Sequence, residues 1–500
     1  MVFSSIYFVF LFFPIVLALY YAVSGRARNA VLLIASLVFY AYGEPVFVFV
    51  LMGSVLVNYL LALAIASLPK GSGRKGLFIT DIILNIGLLF IYKYLGFSAG
   101  LLSHLTGLQL PLKDIALPLG ISFFTFQALS YVADVYRGQE PRKNVFELAL
   151  YICFFPQLVA GPIVRYTDIK DQLCAKDRLS RAFSRPKLWE RRLTDMGEGI
   201  ERFILGFSKK VLIANQVAVI ADSVFDTPDF STVSPGMAWL GSVCYTLQIY
   251  YDFSGYSDMA IGLGRMFGFR FPENFDHPYI SGSVTEFWRR WHISLSSWFK
   301  DYVYIPLGGS RVKRGRRIFN LLVVWLLTGI WHGANLTFMA WGLLYFVLLV
   351  LEKYLIRPER FKNLIIKLVY RAFTLLSVSF LWVLFRAESL AAGIVYIARM
   401  FGAFLQVSGE GVFSGISRGA VSVSGVLPVT SGSDFAMYMR EYGIFLLAAV
   451  IFCCPIRGRI MRKAGEKTGI LYAAVLLFLF IWSVSYLLLG MHNPFLYFNF

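Results

Sequence analysis

Five histidines, His104, His277, His292, His332 and His492, are spread along this 500-residue chain. Imidazole is the side chain best matched to proton transfer near neutral pH. Four of the five lie in or near loops, and His332 does not. It sits in Ile330-Trp331-His332-Gly333-Ala334-Asn335, midway along the apolar stretch 318–351 and between the basic loops 308–317 and 352–367. Each apolar arm beside it is short for a full membrane crossing, which takes roughly 20 residues. The spacing therefore predicts a helical hairpin with His332 near its apex, deep in a bilayer. An ionisable group at that depth is costly and points to a use. The bland alternative is a histidine satisfied by a backbone carbonyl at a helix break. Gly329 and Gly333 allow close approach of another chain or a ligand, and Asn335 adds a nearby donor and acceptor.

Other groups are weaker candidates. His292 lies in Phe287-Trp288-Arg289-Arg290-Trp291-His292-Ile293-Ser294-Leu295-Ser296-Ser297-Trp298. Trp288, Trp291, Leu295 and Trp298 share one helical face, which predicts an amphipathic helix at the inner interface with its indoles at headgroup level. As an anchor alone it needs no histidine. The cluster Arg311-Val312-Lys313-Arg314-Gly315-Arg316-Arg317 suits anionic lipid or the phosphates of a cytoplasmic donor. Tyr250-Tyr251-Asp252-Phe253-Ser254-Gly255-Tyr256-Ser257-Asp258 places two carboxylates inside an apolar span, and Asp134 with Tyr131 does something similar. Such acids orient a histidine, form a proton path or, as the favoured reading, hold a helix together. No GxSxG elbow, P-loop, strand-linked GxGxxG or HExxH is present, and no metal-ligand spacing.

The elements that must position these groups are membrane spans. Apolar residues make up 58% of the chain and charged residues 15%, and the mean hydropathy is +0.65. That composition excludes a soluble globular protein, a disordered chain and a disulfide scaffold. One polytopic domain over 1–500 is the simplest organisation. Candidate spans are 3–22, 45–67, 77–96, 114–136, 199–224, 235–263, 368–386 and 469–489. Shorter apolar runs at 30–43, 145–163, 389–406 and 442–454 suit steep or re-entrant pieces. Residues 3–22 read as a retained first span rather than a signal peptide, because no basic residue precedes them. The net charge of +18, from 47 Lys+Arg against 29 Asp+Glu, falls in short loops such as 23–29, 68–76, 137–144, 164–195, 264–317 and 455–467. That is the cytoplasmic-loop pattern rather than a nucleic-acid surface. Threading the chain on this rule puts the N-terminus, the Gly/Ser-rich segment 407–435 and the C-terminus outside. It also requires 145–163 to dip in and return, at Pro156 and Gly161-Pro162. Of the five cysteines, Cys153, Cys174, Cys244, Cys453 and Cys454, four sit in apolar runs as packing residues.

Read together, Phe287 to Ser294 and, further along, Trp331-His332-Gly333 resemble the membrane-bound O-acyltransferase (MBOAT) family. Tyr251 to Gly262, Phe271-Pro272-Glu273-Asn274-Phe275 and Tyr304-Ile305-Pro306-Leu307-Gly308-Gly309 are similar to its branch of alginate O-acetyltransferase membrane subunits. So are the opening Met1 to Ser5 and the closing Asn493 to Phe500. The resemblance implies an all-α polytopic bundle of roughly 9–13 helices, with re-entrant and interfacial pieces around a central tunnel through a thinned region. Within it, 264–317 is the cytoplasmic-side segment carrying His292, and 318–351 is the hairpin carrying His332. The resemblance places the family's catalytic histidine on His332 and a second on His292. It leaves Asn335, Trp331, Arg289, Arg290, Asp252, Ser254 and Tyr256 as candidate substrate-binding groups. It implies no metal and no bound cofactor. It further implies acetyl-CoA as the acyl donor, an acetyl group moved from the cytoplasm to the outer side of a bacterial inner membrane, and an exported polysaccharide as acceptor, reached directly or through an extracytoplasmic transferase partner. Peptidoglycan O-acetylation, teichoic-acid D-alanylation from a carrier protein, a non-enzymatic polysaccharide transporter using the same histidine and a passive envelope scaffold are the alternatives.

Overall fold

The computed structural model describes residues 1–108, 115–174, 178, 186–227, 229–402, 405–407, 421–423, 432–456, 469–490, 493 and 496. His492, most of 407–435 and most of the basic loop 455–467 lie outside the described residues.

In lipid every backbone polar group must be satisfied internally, which leaves helices as the spanning structure for such a chain. The described residues are helical almost throughout. In order, they form α1 (Phe8–Ala22), α2 (Ala27–Gly43), α3 (Phe47–Ser67), α4 (Ser72–Leu89), α5 (Leu95–Thr106), α6 (Ile121–Tyr136), α7 (Val145–Cys153), α8 (Phe155–Leu158) and α9 (Tyr166–Leu173). The second half holds α10 (Pro186–Ser208), α11 (Asn215–Phe225), α12 (Pro235–Met266), α13 (Val284–Arg290), α14 (Ile293–Phe299), α15 (Arg314–His332), α16 (Leu336–Leu351), α17 (Leu364–Arg386), α18 (Leu390–Met400), α19 (Gly432–Phe452) and α20 (Gly469–Leu488). Short π-helical turns, Phe90–Tyr94 and Lys209–Ala214, join α4 to α5 and α10 to α11. Seven helices among the described residues are long and apolar enough to cross a membrane. The only strands among them, Leu405–Val407 and Val421–Val423, pair as a small antiparallel ribbon.

α6 and α12 form the interior. Residues Ile121 to Val135 of α6 are buried without a break, and α12 is buried along most of its length despite Gln248, Asp252, Ser254, Ser257 and Asp258. Those polar groups are tolerated because α10 and α11 lie against them. A Cβ on Gly206 would come within 2.5 Å of the Gly255 carbonyl oxygen, and one on Gly262 within 2.6 Å of Gly199 O. Only glycine permits so close a crossing. Across it Asp258 takes Lys209 at 2.6 Å and Arg202 at 2.7 Å, while Asp252 takes Lys210 at 2.5 Å.

Two apolar clusters make up the core. The first holds residues of α1–α4 and α6–α10, the second half of α12, Leu295, Trp298 and Trp331. The second holds α11, the first half of α12, Trp288, Trp291 and the aromatic faces of α15–α17. One expected span and two of the shorter apolar runs are reshaped. The run 114–136 becomes helical only at Ile121, because Pro118 and the left-handed Gly120 (φ 74°) hold Leu117–Gly120 out of the helix. The run 145–163 is broken at Phe154, ahead of Pro156, as its proline suggests. The run 389–406 ends its helix at Met400 and passes into the ribbon.

Candidate active site

His332 is the last residue of α15, and Gly333–Asn335 turn the chain into α16, so the expected hairpin forms with His332 at its apex. Gly329 and Gly333 serve the hairpin itself rather than a ligand: a Cβ on either would collide with Phe338 of the returning arm. Asn335 caps α16, its side-chain oxygen accepting from Thr337 N at 3.1 Å while Nδ2 donates to Glu388 O at 3.1 Å. Its amide is therefore committed to the turn and is not the open donor expected of it.

The apex is held from the other side by the π turn between α4 and α5. The last carbonyls of a helix lack intrahelical donors. Here Lys93 Nζ donates to Trp331 O at 2.6 Å and Tyr94 OH to Ile330 O at 2.7 Å. A cation at a helix C-terminus is also favoured by the helix dipole. Lys93, Trp331 and His332 line one cavity of about 40 Å³ with Leu117–Phe123 and Val159. That is room for a water or the hydroxyl end of a larger molecule. No hydrogen bond to the His332 ring occurs among the described residues. The ring is instead packed edge-on by Trp341 and Phe385, each 5.1 Å away.

His292 comes to the same place by a different device. The amphipathic helix expected over 287–298 is two short helices, α13 and α14, with His292 between them in the left-handed conformation (φ 43°). The break turns the indoles inward: Trp288, Trp291 and Trp298 are 7%, 3% and 5% exposed, so they are core residues and not interfacial anchors. Left-handed backbone costs a non-glycine residue roughly 1–2 kcal/mol and persists where neighbours impose it. Asn274 imposes it. Its backbone oxygen accepts from Ile293 N at 2.9 Å, and its side-chain oxygen accepts from Ser294 N, from Ser294 Oγ at 2.8 Å and from the His292 ring at Nδ1, 3.0 Å. The backbone N–H fixes that Asn274 oxygen as an acceptor, so Nδ1 carries the proton and Nε2 is the ring's acceptor. Ser294 Oγ in turn takes Ile163 N at 3.0 Å, tying the turn to the broken segment after α8.

Trp331 connects the two histidines at the seam between the apolar clusters. Trp331, the residue before His332, stands 6.0 Å from the His292 ring and 4.9 Å from the His332 ring. Its indole N–H is buried with no hydrogen-bond acceptor among the described residues. The site thus offers one imidazole without a hydrogen bond among the described residues, a second imidazole of fixed tautomer, an orphaned N–H donor and the Lys93 amine. That set fits proton abstraction from a hydroxyl with stabilisation of a developing oxyanion.

The remaining candidates lie elsewhere. Arg290 is paired with Glu286 and Asp276, and Arg289 is exposed on α13. Asp252 is occupied by Lys210 and by Leu496 N at 3.0 Å. Tyr256 stacks on Phe3 with centroids 4.4 Å apart, and Ser254 is buried in α12. None of the five lines the His332 cavity; Asp252, Ser254 and Tyr256 are buried along α12. Sequence reasoning missed Asn274 and Lys93. Asn274 stood in a quoted motif without a role, and Lys93 is a lone cation in the expected span 77–96.

Residues 142–390, which include both site histidines, match the model of MBOAT, the membrane-bound O-acyltransferase family. A Pseudomonas putida protein named Probable alginate O-acetylase AlgI is 39% identical over 511 residues, covering 100% of both chains. The protein of the same name from Pseudomonas aeruginosa is 43% identical over 397 residues, 78% of this chain and 73% of that one. The Peptidoglycan O-acetyltransferase of Helicobacter pylori is 34% identical over 433 residues, 80% of each. The family resemblance carried by the two histidine motifs therefore holds over the whole length, and the chain belongs to the membrane-bound O-acyltransferase family as a multi-pass membrane acyltransferase.

Proposed function

We propose that this protein moves an acetyl group from cytoplasmic acetyl-CoA across the bacterial inner membrane for O-acetylation of an exported polysaccharide, directly or through an extracytoplasmic transferase. The observation that carries this reading is His332 at the hairpin apex, lining a cavity and separated from His292 by Trp331. Greater identity to proteins named for alginate than to the one named for peptidoglycan supports a polysaccharide acceptor. Loop charge supports the direction. The cavity is walled by Leu117–Gly120, next to the weakly charged loop 97–113, so the acceptor hydroxyl arrives from the outer side and the donor from the basic, cytoplasmic side.

The chemistry is an acyl transfer. The acceptor oxygen attacks the thioester carbonyl carbon while a His332 ring nitrogen takes the hydroxyl proton. A general base of this kind contributes typically 10²–10⁴-fold. Trp331 Nε1 is the donor best placed for the oxyanion, being buried and without another acceptor among the described residues. His292, with Nδ1–H held by Asn274, presents an acceptor at Nε2 and orients the incoming hydroxyl. As the C–O bond completes, the C–S bond breaks and the imidazolium returns its proton to the leaving thiolate.

The test is purified protein with labelled acetyl-CoA and a hydroxyl acceptor, read as free thiol and as labelled ester. His332→Ala brings both to background while the protein stays folded in the membrane. Undiminished ester in that variant removes His332 from the mechanism. An intact thioester with the wild-type protein points to a transporter instead.

A further inference from the structure

The helix that ends at His292 is moored at its other end. α13 spans only Val284–Arg290, too short to hold a helix by propensity alone, so whatever fixes its two ends places His292. The Asn274 turn fixes the C-terminal end. A carboxylate from another element fixes the N-terminal end. Glu352 opens the π turn Glu352–Ile356 that follows α16, and it is 2% exposed. Its Oε1 accepts from Val284 N at 2.6 Å. Its Oε2 accepts from Thr285 N at 2.7 Å and from Thr285 Oγ1 at 2.6 Å. Tyr370 OH of α17 also donates to Oε1, at 2.8 Å.

The partners suit the group. The first N–H groups of a helix have no intrahelical acceptor, and the helix N-terminus favours an anion. Hydrogen bonds to a carboxylate are stronger than neutral ones. No ion pair to Glu352 occurs among the described residues, and these four donors meet its buried charge. Burial of a carboxylate is costly unless it is bonded in this way, so the tether resists rearrangement.

From that mooring α13 runs back along the hairpin arm. Its contacts follow in order. Val284 and Thr285 meet Glu352 at the foot of α16. Trp288 lies 4.9 Å from Tyr345 and 5.6 Å from Trp341, further up the arm. His292 then stands 6.0 Å from Trp331, beside the apex. One element thus carries His292, the hairpin carries His332, and Glu352 ties the two together at the foot.

We infer that Glu352 is a positioning residue for the acyl transfer: it sets the register of α13 on α16, and through it the height of His292 against the His332 apex. The inference rests on the two histidines acting together as proposed above. The length of the Glu352 side chain is then the property that matters, because displacing a reacting group by about 1 Å costs on the order of 100-fold in rate.

Glu352→Asp tests it, since it keeps the charge and both oxygens but shortens the tether by one methylene. The expected result is kcat lowered roughly tenfold or more, with the KM for acetyl-CoA unchanged and the loss larger than any fall in folded protein accounts for. Amide hydrogen exchange on the purified full chain in detergent reads the register without turnover. It should speed up in the variant at Ile293 and Ser294, at the far end of α13, as well as at Val284 and Thr285. Tyr370→Phe removes one bond from the carboxylate and none from α13, and it should keep wild-type kcat and exchange. Wild-type kcat in Glu352→Asp overturns the inference, as does an equal kcat loss in Tyr370→Phe. Should the wild-type protein release no thiol from acetyl-CoA, the acyltransfer reading fails by itself. The exchange result still decides the tether: unchanged rates at Ile293 and Ser294 in Glu352→Asp overturn it, and faster ones sustain it.

Discussion

A buried imidazole works only in the tautomer and orientation its neighbours allow. For His292 that neighbour is one side-chain oxygen on Asn274, which also accepts from Ser294 and so locks the left-handed turn. Asn274→Ala leaves Nδ1–H, Ser294 N and Ser294 Oγ without their acceptor at once. Each such orphan costs about 1–3 kcal/mol, and in the proposed mechanism, where His292 orients the hydroxyl, the loss should fall on turnover. The expected result is kcat lowered roughly 10–100-fold with the KM for acetyl-CoA little changed; normal kcat would show that Asn274 only packs. Lys93→Met is expected to act through Trp331 O, loosening the His332 apex and lowering kcat about tenfold with unaltered membrane insertion. His332 was legible in the sequence because one ionisable group interrupts an apolar run. Lys93 was legible by the same criterion, as a lone cation inside a span. Asn274 was not, because its partners are brought to it by a backbone turn that leaves no mark in residue spacing.

At the scale of elements, the hairpin α15–α16 is the part that sequence pattern predicted best. Two apolar arms between basic loops leave few other solutions. What the pattern did not convey is how tightly the arms meet. A Cβ on Gly342 would strike the Trp325 carbonyl, just as one on Gly329 would strike Phe338. Gly342→Leu therefore wedges the arms apart at the level that sets His332. Overpacking of this kind costs about 1–3 kcal/mol, a modest lowering of the unfolding temperature, but it should remove most turnover by tilting the apex. Gly315→Ala, whose new methyl meets open space, should change neither quantity. Full activity in Gly342→Leu would mean that the site tolerates hairpin movement. The segment 287–298 was misjudged for the converse reason. Its tryptophan spacing fits a continuous helix, and only the left-handed His292 cuts it into α13 and α14 and sends its indoles into the core.

On the scale of the whole molecule, the histidines sit where two separately packed apolar halves touch, and α12 runs through both. Its carboxylates decide whether the seam is a proton route or a weld. Asp252 is paired with Lys210, both almost fully buried, and it also accepts Leu496 N, so it fastens α12 both to the π turn after α10 and to the C-terminal end. If the pair is structural, removing one charge is worse than removing both, because a lone buried ion keeps its desolvation cost without its partner. Asp252→Asn should lower stability by about 3–5 kcal/mol, seen as a depressed unfolding temperature in detergent. Lys210→Met/Asp252→Asn keeps an acceptor for Leu496 N, carries no unmatched charge, and should recover most of that loss together with wild-type acetyl transfer. A double variant that regains its unfolding temperature yet stays inactive would instead make Asp252 part of a proton path to the histidines. The geometry favours the weld, since both Asp252 and Asp258 already hold cations from α10 and its π turn and neither lines the cavity at His332.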